Sequence, residues 1–274
     1  TWSKMNRTSN SHPGLFVSIL HEMGAIWIFG LQVWRCFFTT RGNIQSIIAQ
    51  ISFICYRSLP TVLFAGVFVG AILVLQINLI LVKYEAQSFL GGLNSSTVIR
   101  EVGPLIISFI LAGKIGAYTT AELATMRVTE QIAAVECLGT DSIQYLIVPR
   151  FLGIVISNFL LLLIGLLVSI MGSMVVASYA CGVNFLQFAT SIPQFTSIGA
   201  VFVAAGKSLI FGSIVGGVAC FKGYTAEGGA QGVGRAVTLS ALYTNFYILI
   251  ANFVSSLILI LTDELTQSIV GNIQ

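Results

Sequence analysis

Charge is what this chain has least of. Only 8% of its 274 residues are Asp, Glu, Lys or Arg, and 56% are hydrophobic. Soluble domains carry about a quarter charged residues, so a soluble fold of this length would lack the side chains to cover its surface. The mean hydropathy of +0.93 agrees, and a bundle of apolar spans, each about 20 residues long, is the class left standing. No long basic run accompanies the net charge of +3, which removes nucleic acid as a partner. Metal-ligand spacing is missing too. Cys36, Cys55, Cys137, Cys181 and Cys220 are scattered without a CxxC pair and read as small apolar residues in helices. No short apolar h-region with an A-x-A-like site opens the chain, so no cleaved signal peptide is expected. Because the chain starts at Thr1, a few residues are expected to precede it.

The longest stretch without a charge runs from Phe151 to Gly206. It is too long for one span and holds turn residues (Gly182, Asn184, Pro193), so it reads as a helical hairpin with spans near 151–178 and 198–220. Ala236–Thr262 is another uncharged run. Ser58–Val82 is a further one, beginning near Pro60, which suits a first helical turn. Val102–Ala121 is apolar apart from Lys114. That makes five spans from Pro60 onward.

Leu15–Phe38 is long enough to span, yet His21, Glu22, Gln32 and Arg35 interrupt it. Its apolar residues Leu20, Gly24, Trp27, Leu31, Trp34 and Phe38 share one helical face, as in a helix lying in the membrane interface. Lying flat keeps Lys4, Arg7, Arg41 and Arg57 on one side. With the N-terminus inside, Lys83–Thr97 and Cys181–Ser197 fall outside, as does the tail after Asp263. Arg127–Arg150 and Lys222–Arg235 fall inside, which satisfies the positive-inside tendency. The expected division is 1–58 for the interfacial helix region and 59–274 for the spans.

Lys207 stands in the middle of an apolar helix. An unpaired ammonium in hydrocarbon costs several kcal/mol, so it either faces a cavity or is paired or snorkelled within the structure. Gly206-Lys207-Ser208 resembles the end of a P-loop, but Val201 occupies the first glycine position and no strand precedes it, so nucleotide binding is rejected. Arg100 and Glu101 are adjacent, about 100° apart around a helix, and read either as cavity residues or as an interfacial charge pair. In the internal loop, Val128, Ile132 and Val135 fall on one face and Glu130, Gln131 and Glu136 on others, with Gly139 ending the helix. That acidic content disfavours anionic lipid and favours docking into a protein groove. Gly66–Gly70 and Gly212–Gly216 permit close helix contact. The Gly223–Gly234 stretch reads as a flexible connection.

Taken together, IREVGPLIISFILAGKIGAYTTAELATMRVTEQIAAVECLGT with YLIVPR, and then GYTAEGGAQGVGRAVT, resemble the MlaE family of ABC transporter permeases. The match runs from about Pro60 to the final helix. The resemblance implies an all-α integral membrane protein: an N-terminal interfacial amphipathic helix, five transmembrane helices and a short cytoplasmic coupling helix near 125–139. It implies a homodimer around a lipid-sized cavity in a bacterial inner membrane, with the N-terminus cytoplasmic and the C-terminus periplasmic. Implied partners are a cytoplasmic ABC ATPase, which would hold ATP and Mg, an MCE-domain protein outside, and a small cytoplasmic regulatory subunit. No cofactor and no catalysis are expected in this chain.

By motif, Arg100, Glu101 and Lys207 correspond to the family's polar cavity, with Leu75 and Asn78 on the first span. Arg127, Glu130, Gln131, Ile132, Val135 and Glu136 correspond to the ATPase-coupling segment, and Ala133 departs from a position often Asp. A phospholipid or similar lipid is the implied cargo. The competing classes are an ion- or proton-coupled secondary transporter using the intramembrane charges and a non-transporting membrane scaffold. An intramembrane enzyme is disfavoured, because neither histidine lies in an expected span and no nucleophile–base arrangement is visible.

Overall fold

Apart from Gly24 and Gly30, the computed structural model describes residues 44–271, with side chains as far as Leu261. The expected in-plane helix Leu15–Phe38, with Lys4, Arg7, Arg41 and Cys36, lies outside the described residues. Every described element is helical. Helix α1 (Ile44–Lys83) is 40 residues long and contains Pro60. Pro60 therefore does not open the helix as expected, and α1 runs straight through the 58/59 division. Buried Ile54, Ser58 and Val62 continue one packed face across the proline, and that packing offsets the backbone hydrogen bond Pro60 removes. Beside the break, the Lys114 ammonium donates to the Arg57 carbonyl (2.7 Å) and to Thr61 Oγ1 (2.6 Å).

After a single 3₁₀ turn at Gln87–Phe89, one continuous helical run follows. It comprises α2 (Leu90–Thr97), a π turn at Val98–Val102, α3 (Gly103–Leu111), a second π turn at Ala112–Gly116, and α4 (Ala117–Val128). The expected span Val102–Ala121 is the middle of this run. π turns insert an extra residue into a helix and concentrate at functional sites; here the first carries Arg100 and Glu101 and the second Lys114. Then come α5 (Gln131–Cys137), a π turn at Ile143–Ile147 leading into α6 (Val148–Ala180), α7 (Phe185–Phe195), α8 (Ile198–Tyr224) and α9 (Gly229–Gly271).

Two expected connections are shorter than the sequence suggested. The 181–197 turn region contains α7, capped by the Asn184 side chain, which accepts from the Leu186 N–H at 3.0 Å. The Gly223–Gly234 connection narrows to the few residues between α8 and α9, with positive φ at Gly228 and Gly229. Cys181 likewise falls just past α6 rather than inside a helix.

Four described helices are long and apolar enough to cross a membrane: α1, Ile143–Ala180, α8 and Gly229–Leu261. The 90–128 run packs among them, against α1, α6, α8 and α9. α1 and α6 run parallel: Ser157 Oγ donates to the Ile51 carbonyl at 3.4 Å, and Ser169 Oγ to the Gly66 carbonyl at 2.8 Å. The Gly66–Gly70 pair makes that approach possible, since a Cβ on Gly70 would overlap the Ser169 carbonyl. On its other side α1 exposes Phe64, Phe68, Ile72, Leu75 and Leu79. In water such a stripe would be a liability. Against lipid tails it needs no cover.

Candidate functional site

The Lys207 side chain is 2% exposed. Its ammonium donates to the Arg100 carbonyl (2.8 Å), Glu101 Oε2 (3.1 Å) and Ser256 Oγ (3.0 Å), with Asn252 Oδ1 at 3.5 Å. Ser256 in turn donates to Glu101 Oε2 at 2.7 Å. The Arg100 carbonyl is available for a local reason. Its ordinary helical partner would be the N–H of residue 104, which is Pro104 and has none. This carbonyl, the adjacent carboxylate and two polar residues one turn apart on α9 converge on one cation.

This settles how the lysine is held in a single chain: it is paired inside the bundle rather than open. The Glu101 side chain is 42% exposed, and Arg100 is exposed, so the open side of the cluster belongs to them. Asn78 lies elsewhere, accepting from Gln87 Nε2 at 3.3 Å, and shares no hydrogen bond with Lys207. Leu75 is on the exposed face of α1. Sequence reasoning missed Asn252 and Ser256. The available signal was their i, i+4 spacing, which puts both on one face of an apolar helix.

A second polar group sits at the end of the bundle where α4 meets α5. The expected helix across 125–139 is divided: Thr125–Val128 closes α4, and Glu130 takes a left-handed conformation (φ 60) before α5 begins. Val128 and Ile132 thus belong to different helices. Gly139 (φ 77) follows the end of α5 as expected. Ile132 is fully buried and Val135 half-buried, while Glu130, Gln131, Glu136 and Leu138 are exposed.

The α5 segment is fastened to α8. Glu136 Oε1 accepts from Ser142 Oγ (2.7 Å) and from the Tyr224 hydroxyl (3.1 Å), and the Arg127 guanidinium lies 5.5 Å from the Tyr224 ring centre. Alongside, Arg150 Nη2 pairs with Glu122 Oε1 at 2.8 Å. The Tyr224 hydroxyl is the atom that joins loop to helix. Tyr224→Phe should loosen the 129–142 segment by about 1 kcal/mol, the usual net value of one hydrogen bond. Hydrogen exchange would read this as amides there exchanging about fivefold faster, with those of α6 unchanged.

Comparison with known proteins places these features. The family described as Permease MlaE matches residues 47–258. The chain belongs to that family. A probable ABC transporter permease protein of Rickettsia conorii is 38% identical over 245 residues, covering 89% of this chain and 95% of its own. One from Synechocystis is 33% identical over 222 residues, covering 81% and 84%. Another, from Pyropia yezoensis, is 33% identical over 218 residues, covering 80% and 83%. The chain is thus an MlaE-family permease of the ABC transporter class, multi-pass and all-α. Both polar groups lie within the matched region, the Lys207 cluster and the α5 segment alike.

Proposed function

We propose that this MlaE permease moves a phospholipid or similar lipid between a bacterial inner membrane and an MCE-protein assembly, powered by a separate cytoplasmic ATPase. The observation that carries the reading is a charged cluster in a helix too apolar for it, with its Glu101 and Arg100 side open. Charges at membrane depth mark substrate paths. Two protomers would enclose the path, acyl chains lying on apolar walls and the headgroup meeting Arg100, with Lys207 available when its pairing loosens.

The ATPase would dock on α5, presenting Gln131, Glu136 and Leu138, with Arg127, Glu130, the buried Ile132 and the half-buried Val135 fixing the segment's position. ATP and Mg would be held by that partner. Displacement of α5 would pass through Glu136 and Tyr224 to α8, which carries Lys207 about 25 Å further along its axis. A small cytoplasmic regulatory subunit fits beside the ATPase. The orientation that goes with this has the N-terminus cytoplasmic and the C-terminus periplasmic.

A proton-coupled transporter would also want a buried Lys–Glu pair, and one assay separates the two. Co-purification with an ATPase, then hydrolysis stimulated by lipid in liposomes, is the expected result. Lipid transfer that proceeds without any nucleotide-hydrolysing partner would overturn the proposal.

A further inference from the structure

Arg57 and Lys114 form a second cationic site, away from Lys207. The Arg57 guanidinium lies 5.1 Å from the Phe53 ring centre and 5.5 Å from that of Tyr118, the two rings being 5.6 Å apart. Stacking of this kind fixes the plane of the fork and leaves its edge N–H groups outward. Among the described residues none of those N–H groups has a hydrogen-bond acceptor, and neither cation is ion-paired with a carboxylate. Lys114, also exposed, spends two of its three donors on the Arg57 carbonyl and Thr61 Oγ1. The ammonium is thereby fixed at the 57–61 turn of α1, and the guanidinium lies over Phe53, one turn before it.

Depth gives this pair its meaning. Between Arg57 and Lys83 α1 rises about 39 Å, somewhat more than the roughly 30 Å hydrocarbon core of a bilayer. With Lys83 at one boundary, Arg57 stands near the other. That boundary is on the α5 side, because α1 and α6 are parallel and α6 starts from the α5 loop. Directly along α1 from the cations, Leu59, Pro60, Leu63, Phe64 and Val67 line an apolar depression of about 270 Å³ at the proline.

We propose that Arg57 and Lys114 bind the phosphate of an anionic phospholipid in the leaflet on the α5 side, with an acyl chain of the same molecule lying in the Pro60 depression. A planar guanidinium and an ammonium on successive turns of one helix face can meet the oxygens of one phosphate, and the net charge of the pair selects an anionic headgroup over a zwitterionic one. The inference rests on the lipid-handling reading above and adds to it a headgroup class and a point of entry.

The test uses the full chain in mixed vesicles of phosphatidylglycerol and phosphatidylcholine, each in turn carrying a photoreactive group on its acyl chain. Labelled peptides are then mapped. The phosphatidylglycerol probe should label the 59–67 stretch several-fold more than the phosphatidylcholine probe. Arg57→Gln should bring it down to the phosphatidylcholine level, and Arg57→Lys should keep most of the preference. Excess inorganic phosphate should displace neither probe.

Equal labelling of the unsubstituted chain by the two probes overturns the proposal, whatever the variants do. So does a preference that survives Arg57→Gln, or displacement by inorganic phosphate, which would make this a site for the free anion. Labelling is read without transport or nucleotide. Its failure is therefore distinct from failure of the transport reading, which the ATPase assay measures.

Discussion

Lys207→Met should cost the folded chain more than Glu101→Gln, although the two residues are ion-pair partners. The usual expectation for a buried pair is symmetry, since either truncation strands a charge. Here the partners differ. Glu101 is 42% exposed, so water can solvate its carboxylate once the lysine is gone, and in Glu101→Gln the ammonium keeps an amide oxygen beside it together with the Arg100 carbonyl, Asn252 and Ser256. Pro104 lacks the N–H that an α-helix would offer the Arg100 carbonyl, and Lys207 donates to that carbonyl at 2.8 Å. Lys207→Met removes that donor together with those to Ser256 and Asn252, at about 0.5–1.5 kcal/mol for each lost hydrogen bond.

Thermal or denaturant unfolding in detergent should therefore rank Lys207→Met well below Glu101→Gln, with the double variant close to Lys207→Met alone. Pro104→Ala provides an internal check. It restores an N–H within reach of the Arg100 carbonyl, so Lys207→Met should cost less in that background. If Glu101→Gln is the more damaging change, or if Pro104→Ala makes no difference, the Arg100 carbonyl is not what anchors Lys207. On the proposed function, Lys207→Met should also stop lipid transfer while the chain still inserts.

What the sequence could disclose here follows from which forces act locally. Composition alone fixes an apolar helical bundle, because hydrocarbon forbids unpaired backbone. Charge-free runs located α6, α8 and α9 well. They misled at α1, where a proline looked like a beginning. A helix continues through proline when tertiary contacts offset the lost bond, and those contacts, with α6 and Lys114, are distant in sequence. The π turns were invisible for a similar reason: the glycines of AGKIG weaken a helix without specifying a π turn, and nothing in VIREV marks one. Lys207 was conspicuous as an isolated charge. Whether it faced a cavity or a partner depended on Glu101 and Ser256, more than 100 residues away on one side and on another helix on the other. The α5 segment was legible as a short helix in a polar loop, yet its division from α4 at Glu130 was not, since a left-handed glutamate is disfavoured locally.

Gly70→Ala carries the second large effect, and one methyl group is enough to produce it. At Gly70 the added Cβ would overlap the Ser169 carbonyl, a backbone atom that no rotamer change can move. Relief requires α1 and α6 to separate. Separation would also stretch the Ser169 hydroxyl's 2.8 Å bond to the Gly66 carbonyl and unseat Gly172 from Val67. Overpacking a close contact costs about 1–3 kcal/mol, and in lipid no hydrophobic drive pushes the helices back together, because association there rests on packing.

Gly206→Ala is the matched control. A Cβ there meets nothing within 4 Å, and alanine is the better helix former by about 1 kcal/mol. Side by side in detergent, Gly70→Ala should unfold earlier than the parent chain while Gly206→Ala holds level or gains. Equal behaviour of the two would mean that α1 and α6 are not held at the separation their glycines permit. That separation also sets where Arg57 and the Pro60 depression stand relative to the bundle, so phosphatidylglycerol labelling at 59–67 should fall in Gly70→Ala and persist in Gly206→Ala.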